Sequence, residues 1–166
     1  MKRTRATSFI LACLFCVCIA GAIADARLTA QQSIGLAYSK MAQAMQNWDV
    51  SAYISYIQLD YVQIDEDGSE KYHGKTGVEK ALTPVWSRHA KMTLSTHIQD
   101  LTLDKGGAIV TVKQDYTYSR IKNGQPFDYD LVSVNRDYWV KVGGRWLQKR
   151  SRTISSSKTV NGQAAP

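Results

Sequence analysis

The feature that most constrains the fold of this chain is an alternation of apolar and polar residues that starts at Lys91 and continues through most of the C-terminal half. A period of two is typical of β-strands with one buried face. Turn-forming pairs interrupt it at Gly106-Gly107, Asn123-Gly124 and Gly143-Gly144. We predict four antiparallel strands at residues 91–104, 108–121, 127–142 and 145–154, and a flexible tail over residues 156–166.

The chain before the alternating region carries three helical patterns. Within residues 29–46 the apolar residues recur at helical spacing, as Ile34, Tyr38, Met41 and Met45. A second, shorter pattern follows Asp49, whose side chain suits an N-cap. The third starts at a Thr76–Glu79 capping box, and Pro84 is expected to kink or break that helix.

A short hairpin is predicted between the second and third helices. Over residues 60–65 the side chains alternate, with Val62 and Ile64 on one face and Tyr61, Gln63 and Asp65 on the other. Gly68 lies in an acidic turn, where it tolerates a positive φ. The return strand covers residues 70–72.

Helices that precede a run of antiparallel strands predict an α+β domain. We expect three N-terminal helices packed on one curved, mainly antiparallel sheet, within residues 27–155. A sheet that curves around helices leaves a cone-shaped cavity between the two layers. A flat two-layer packing fits the same pattern.

The N-terminus has the three parts of a secretory signal peptide, predicted for residues 1–24. Lys2, Arg3 and Arg5 precede an apolar run over residues 6–20, and Ala22-Ile23-Ala24 forms a cleavage site. The run is short for a membrane span, so an uncleaved anchor is the lesser alternative. The sequence therefore predicts an exported protein, periplasmic or secreted, with no membrane attachment after cleavage.

Cleavage would remove all three cysteines and the three basic residues of the signal, so the net charge of +7 falls to +4. The mature chain then has no disulfide, thiol nucleophile or cysteine metal site. The three histidines, His73, His89 and His97, lack metal-ligand spacing. We predict no metal and no cofactor. The small charge and the absence of a binding motif speak against nucleic acid.

Aromatic residues are the main candidates for a ligand site. Gln114, Tyr116 and Tyr118 share one strand face with Val110 and Val112. If that face points into the cone, these side chains line a pocket suited to a small, mostly apolar or aromatic ligand. The alternative is that the rings simply fill the cone. The predicted pocket residues are Tyr38, Met41, Tyr53, Trp86, Gln114, Tyr116, Tyr118, Trp139 and Arg150, the last as a carboxylate-binding group at the mouth.

Several segments together resemble the NTF2-like superfamily, which includes SnoaL-like and ketosteroid-isomerase-like domains. They are the order of elements, the Asp49 cap, residues 60–65 with Asp67-Gly68, residues 73–75, and the closing segment over residues 138–146. The resemblance implies a cone with a pocket under the sheet, often in a homodimer. The outer sheet face would form that dimer, through Thr111, Lys113, Asp115 and Thr117.

The resemblance also implies a pair of catalytic carboxyl groups. Ketosteroid isomerases use an ionised carboxylate at the end of the first strand, which falls on Asp65, and a protonated acid on a late strand, which resembles Asp137. Their helix tyrosine falls on Met41 here, with Tyr38 one turn away. The sequence thus predicts a binding domain for a small molecule, without catalysis. The alternative is an isomerase or lyase that uses Asp65 and Asp137 for proton transfer.

Overall fold

A computed structural model of the protein describes residues 7–86 and 91–165, and of residues 7–24, Lys91, Arg120 and Lys122 it describes the backbone alone. Three helices come first: α1 (Thr7–Gln46), α2 (Val50–Ile54) and α3 (Gly74–Trp86). A hairpin of β1 (Ile57–Ile64) and β2 (Glu70–His73) lies between α2 and α3. The remaining strands are β3 (Lys91–Asp104), β4 (Gly107–Lys122), β5 (Gln125–Val142), β6 (Arg145–Val160) and β7 (Gln163–Ala164). The predicted α+β class is confirmed.

All seven strands belong to one sheet, with the order β2-β1-β6-β5-β4-β3 and β7 beside β6. Strands β3 to β6 form the predicted antiparallel meander. Strand β1 pairs with β6 in parallel, which joins the N-terminal hairpin to the last long strand of the meander. The first and last long strands of the chain are therefore neighbours, and both contribute side chains to one inner face.

Local signals placed some elements correctly and one helix start incorrectly. Asp49 caps α2 as predicted, because its Oδ1 accepts a hydrogen bond of 2.8 Å from the backbone N–H of Ala52. Gly68 takes a φ of +87° in the hairpin turn. The capping box at Thr76–Glu79 is wrong, since α3 already begins at Gly74. Pro84 does not break α3, which continues to Trp86.

The C-terminal segment is more ordered than the sequence predicted. Instead of an irregular tail over residues 156–166, β6 extends to Val160 and a turn leads into β7. Asn161 stabilises this turn, because its side-chain Oδ1 accepts from the N–H of Asp128 and its own N–H donates to the Asp128 carbonyl, both at 2.8 Å. The pair Asn161-Gly162 is the same hairpin signal as Asn123-Gly124.

The main hydrophobic core lies between the helices and the inner face of the sheet. Ile34 of α1 is fully buried and belongs to one cluster with Leu101 of β3 and with Val110 and Val112 of β4. A second cluster joins Met45 and Trp86 to Leu94 and other neighbours nearer the end of the helices. Within residues 25–86 and 91–165 no helix is long and apolar enough to cross a membrane. The signal peptide and export stay predictions.

Helix α3 contains a glycine, Gly77, whose replacement by alanine should stabilise the protein. A Cβ at Gly77 would meet no atom within 4 Å, and its φ lies outside the positive range. We expect Gly77→Ala to raise the free energy of unfolding by about 0.5–1 kcal/mol, because alanine restricts the unfolded chain more than glycine does. Urea denaturation monitored by tryptophan fluorescence measures this. Gly68→Ala is the control, and it should destabilise because Gly68 has a positive φ. Destabilisation by both would contradict the prediction.

Candidate functional site

The helices and the inner face of the sheet enclose a cavity of about 710 Å³. Its helix side is largely apolar and aromatic, with Met41, Met45, Tyr53, Leu82 and Trp86. Its sheet side carries neutral polar side chains from β4, β5 and β6, which are Gln114, Ser133, Asn135, Gln148 and Ser151. The cavity therefore has two chemically different walls, and its volume lies in the range of ordinary small-molecule sites.

The polar wall is built around the amide of Gln114. Its Oε1 accepts from the Tyr116 hydroxyl at 2.9 Å and from Asn135 Nδ2 at 2.8 Å. Asn135 Nδ2 also donates to Ser133 Oγ at 3.0 Å. Gln114 Nε2 and Asn135 Oδ1 have no hydrogen-bond partner among the described residues. The wall thus offers a bound molecule at least one donor group, Gln114 Nε2, and one acceptor group, Asn135 Oδ1.

A buried carboxylate forms the floor beneath this wall. Strand pairing places Asp137 of β5 opposite Ser151 of β6 and Val110 of β4, and Ser151 opposite Gln63 of β1. Residues that pair directly across a sheet share a face, so this row points inward. Asp137 is only 1% exposed. It lies behind the residues that border the cavity, beneath Tyr38.

Tyr38, Asp137 and Trp139 form a hydrogen-bonded group at the floor. The Tyr38 hydroxyl donates to Asp137 Oδ2 at 2.5 Å and accepts from Trp139 Nε1 at 3.1 Å. The rings of Tyr38 and Trp139 pack edge to face, with 4.9 Å between their centroids. Tyr38 borders the cavity, whereas Asp137 and Trp139 support it from below.

Burial dominates the ionisation of Asp137. It raises the pKa of this carboxyl to about 6, and the hydrogen bond from Tyr38 offsets part of that rise. Ser151 and Gln148 also lower the pKa from beside the carboxylate, although neither reaches hydrogen-bonding geometry with Oδ1. Among the described residues, none donates a hydrogen bond to Oδ1. At neutral pH the floor therefore holds a buried, incompletely solvated negative charge.

The tyrosines around this charge are kept protonated. Burial first, and then the negative charge of Asp137, raise the pKa of Tyr38, Tyr53 and Tyr61. The pKa of Tyr116 is raised by burial, then by Tyr53 and Asp137. All four rings border the cavity as neutral phenols at neutral pH.

Asp65 lies at the opposite end of the cavity, at its mouth. Its Oδ2 is 3.3 Å from Lys71 Nζ, and its side chain is 35% exposed. Its backbone closes the hairpin turn with Ser69 and Gly68. Asp65 lies two residues beyond Gln63, so the spacing of the sheet puts its Cα roughly 12 Å from that of Asp137. The two carboxyl groups therefore do not form an adjacent pair.

Six of the predicted pocket residues border the cavity: Tyr38, Met41, Tyr53, Trp86, Gln114 and Tyr116. Trp139 lies one layer below, fully buried. Tyr118 stacks on Tyr129, with 4.4 Å between the ring centroids, and Tyr129 is the member of that pair at the mouth.

Arg150 is on the other side of the sheet, so its prediction as a mouth residue needs correction. Tyr138 pairs with Arg150 while Trp139 pairs with Gln148, which leaves Lys149 as an extra residue in β6. This bulge reverses the alternation, since one inserted residue flips the side chains that follow it, here as far as the next register shift at Ile154. Gln148 and Ser151 point inward, and Arg150 is exposed on the outer face.

The histidines that the structure describes lie away from the cavity. His73 is exposed and 2.9 Å from Glu70, and His97 lines a separate groove of about 840 Å³ between α1 and β3. That groove lacks the polar network of the cavity. His89 lies outside the described residues. Over the described part of the chain, no three His, Cys, Asp or Glu side chains cluster as a metal site would require.

The sequence interpretation missed the polar wall and part of the mouth. Ser133, Asn135 and Gln148 were not predicted, although the first two alternate in register with Asp137 on β5. Lys158 and Ala165 border the mouth from the segment that was predicted to be a tail. The Asn161-Gly162 pair could have revealed this last hairpin.

Comparison with known proteins places the fold. No family model and no curated protein matches the sequence. Among solved structures, one provisionally assigned as a scytalone dehydratase, from Novosphingobium aromaticivorans, is 16% identical, with a TM-score of 0.72 over 86% of this chain and 96% of that one. A hexachlorocyclohexane dehydrochlorinase, LinA type 3, from Novosphingobium barchaimii is 13% identical, with a TM-score of 0.65 over 84% and 97%.

A third similar structure belongs to the NTF2-like family. It comes from Streptomyces avermitilis, is provisionally assigned as a dehydratase, and is 11% identical, with a TM-score of 0.62 over 76% of this chain and 96% of that one. At such identities the likeness concerns the fold. The chain therefore has the NTF2-like cone fold that its sequence predicted.

Proposed function

We propose that this protein binds a small molecule in the cavity between its helices and its sheet, without transforming it. The observation that carries the proposal is the pair of unlike walls. Gln114 and Asn135 form a buried polar network that leaves one donor and one acceptor toward the space. A wall whose only purpose was packing would be apolar, because buried polar groups without partners are costly.

The polar wall changes the kind of ligand that the sequence suggested. A mostly apolar or aromatic molecule would satisfy Met41, Met45 and Trp86 but would leave Gln114 Nε2 and Asn135 Oδ1 unpaired. We therefore propose an amphipathic ligand with an apolar side and at least one hydroxyl, amide or similar group. Its polar side would face the sheet and its apolar side the helices.

The absence of catalysis is proposed from the positions of the two carboxyl groups. Asp65 is paired with Lys71 at the mouth, and Asp137 lies behind Tyr38. Tyr38, the group of the floor that does reach the cavity, has its only proton committed to Asp137 and a pKa raised well above the usual value. It is poorly suited to act as a base at neutral pH.

A second candidate function is proton transfer in an isomerase or lyase. The contact between Tyr38 and Asp137 favours it. The ketosteroid-isomerase resemblance implies a protonated acid at Asp137 and a helix tyrosine, which falls on Met41, one turn from Tyr38. Similar structures include a dehydrochlorinase and provisionally assigned dehydratases. For this function Asp137 would have to release Tyr38 so that the phenol can donate to a substrate oxygen.

Binding of the neutral fluorophore 1-aminoanthracene tests the leading proposal. We expect its emission to shift to the blue when the dye enters the cavity of the wild-type protein. Ser133→Phe should lower the affinity for the dye at least tenfold. Ser133 is 6% exposed and borders the cavity, so a phenyl ring at this position would occupy the cavity.

Ser155→Phe is the matched control. Ser155 pairs with Val134 on the outer face of the sheet and is exposed, so this variant should bind the dye as the wild type does. Equal binding by the wild type and Ser133→Phe, or no binding by the wild type, would refute the cavity as the binding site. A homodimer through the outer face stays a prediction.

A further inference from the structure

Three of the cavity tyrosines donate their hydroxyl protons to neighbouring side chains of the protein. Tyr38 donates to Asp137 at 2.5 Å, Tyr116 to Gln114 at 2.9 Å, and Tyr61 to Gln63 Oε1 at 3.4 Å. Each phenol has one donor and two acceptor lone pairs. A ligand at these three positions therefore meets oxygen lone pairs and ring π-electrons, and it finds no proton there to accept.

The buried charge nearest the cavity is also negative, so it too favours a positively charged ligand. Asp137 is buried at the floor, and its Oδ1 receives no hydrogen bond from a described residue. The described cavity-lining residues include two cations, Lys71 and Lys158, and both lie at the mouth. Lys71 is already paired with Asp65. A buried carboxylate without a nearby counter-charge is unfavourable unless something supplies one.

We propose that the cavity selects ligands that carry a positively charged ammonium group, quaternary or protonated, which sits above Tyr38 among the tyrosine rings and Trp86. Aromatic rings attract an ammonium group within about 6 Å through their negative faces. The ring centroids of Tyr53 and Trp86 are 5.4 Å apart in an edge-to-face arrangement. Both residues line the cavity, so together they present aromatic surface to it. The carboxylate beneath Tyr38 provides the balancing charge.

This inference rests on the proposed function and specifies its ligand class. The remaining lone pair of the Tyr38 hydroxyl can accept an N–H from a protonated amine, since Trp139 uses the other. A quaternary ammonium would be held by the rings and by the field of Asp137 alone. The free donor and acceptor of Gln114 and Asn135 would bind a hydroxyl elsewhere on the same ligand.

Choline and 3,3-dimethylbutan-1-ol form the probe pair, because they differ only in that carbon replaces the quaternary nitrogen. Each is titrated into uniformly ¹⁵N-labelled protein, and the indole N–H signals of Trp86 and Trp139 report binding. At pH 7.5 choline should bind at least tenfold more tightly than the neutral alcohol. In Asp137→Asn the preference should fall below threefold, while Asp65→Asn should keep it.

The wild-type protein provides a second readout that does not depend on a variant that folds. Between pH 7.5 and pH 5 the affinity for choline should fall about tenfold, because protonation of Asp137 removes the negative charge at the floor. The affinity for the neutral alcohol should not change. The titratable groups that face Asp137 are Tyr38, Tyr53, Tyr61 and Tyr116, and all stay protonated across this range.

Equal affinity for both probes, stronger binding of the alcohol, or no shift of either indole signal would overturn the cation proposal. A preference that survives in Asp137→Asn and at pH 5 would overturn the role of the floor carboxylate. Binding of 1-aminoanthracene is independent of these results, since that probe is neutral. If the dye enters the cavity and choline shows no preference, the cation inference fails and the small-molecule function stands.

Discussion

Trp139→Ala is expected to lower the free energy of unfolding by about 4 kcal/mol, which is a large part of the stability of an ordinary domain. Trp139 is fully buried, packs edge to face on Tyr38, and donates its indole N–H to the Tyr38 hydroxyl. Truncation removes this packing, leaves a cavity that neighbouring strands cannot close, and removes the donor that fixes the phenol. Urea denaturation at pH 7.5 measures the loss.

Two further variants separate packing from hydrogen bonding. Trp139→Phe retains a ring but loses the N–H, so we expect a smaller loss of about 2 kcal/mol. Tyr138→Ala changes the neighbouring residue of β5, which is half-buried on the outer face, and should cost about 1 kcal/mol. If Trp139→Ala lowers the free energy of unfolding no more than Tyr138→Ala does, the hydrogen-bonded group of Tyr38, Asp137 and Trp139 does not stabilise the core.

Asp137→Asn is expected to remove a pH-dependent loss of stability. The pKa of Asp137 is about 6 in the folded protein, against an ordinary value of 3.8. The folded chain therefore binds this proton more tightly than the unfolded chain, and the contribution to stability is full at low pH. It declines as the pH rises from about 4 to about 6 and is flat above that.

The size of this effect follows from the shift. The rise of the pKa from 3.8 to about 6 corresponds to about 3 kcal/mol over the whole titration, so the stability of Asp137→Asn relative to wild type should increase by about 2.5 kcal/mol between pH 4 and pH 8. Urea denaturation of both proteins at half-unit pH steps measures it. Asparagine cannot titrate, yet its carbonyl can still accept the hydrogen bond from Tyr38.

Ser151→Ala is a matched control for the pH series. Ser151 lowers the pKa of the Asp137 carboxyl, and this variant keeps the carboxylate. Its stability should therefore still decline from pH 4 upward, and the window should extend to a slightly higher pH. Parallel stability curves for the wild type and Asp137→Asn across the whole range would mean that burial does not perturb this group.

Local sequence patterns were sufficient to predict the kinds and order of the elements up to β6. The period of two after Lys91, with a glycine-containing pair at each turn, was sufficient to place β3, β4 and β5 within two residues of their ends. Such patterns are local, because a turn needs particular residues at particular φ values and a strand needs alternating side chains. Asp49 and Gly68 were placed correctly for the same reason.

Part of the site was also predictable from the sequence. The Gln114–Tyr116 face was expected to line the cone, and it does border the cavity. Asp65 was expected just before the acidic turn and lies there, at the mouth. The sequence could not tell that Asp137 would sit beneath Tyr38, because the two residues are far apart in the chain and meet only through the packing of α1 on the inner face of the sheet.

The face of β5 and β6 that points inward could not be predicted from local sequence patterns. By polarity, Val132 and Val134 would be assigned to the interior, yet they lie outside, and Ser133 and Asn135 lie inside. An extra residue at Lys149 then sends Arg150 to the outer face. The direction of a strand side chain depends on its register with neighbouring strands and on the bulges in that pairing, and both are set by residues distant in sequence.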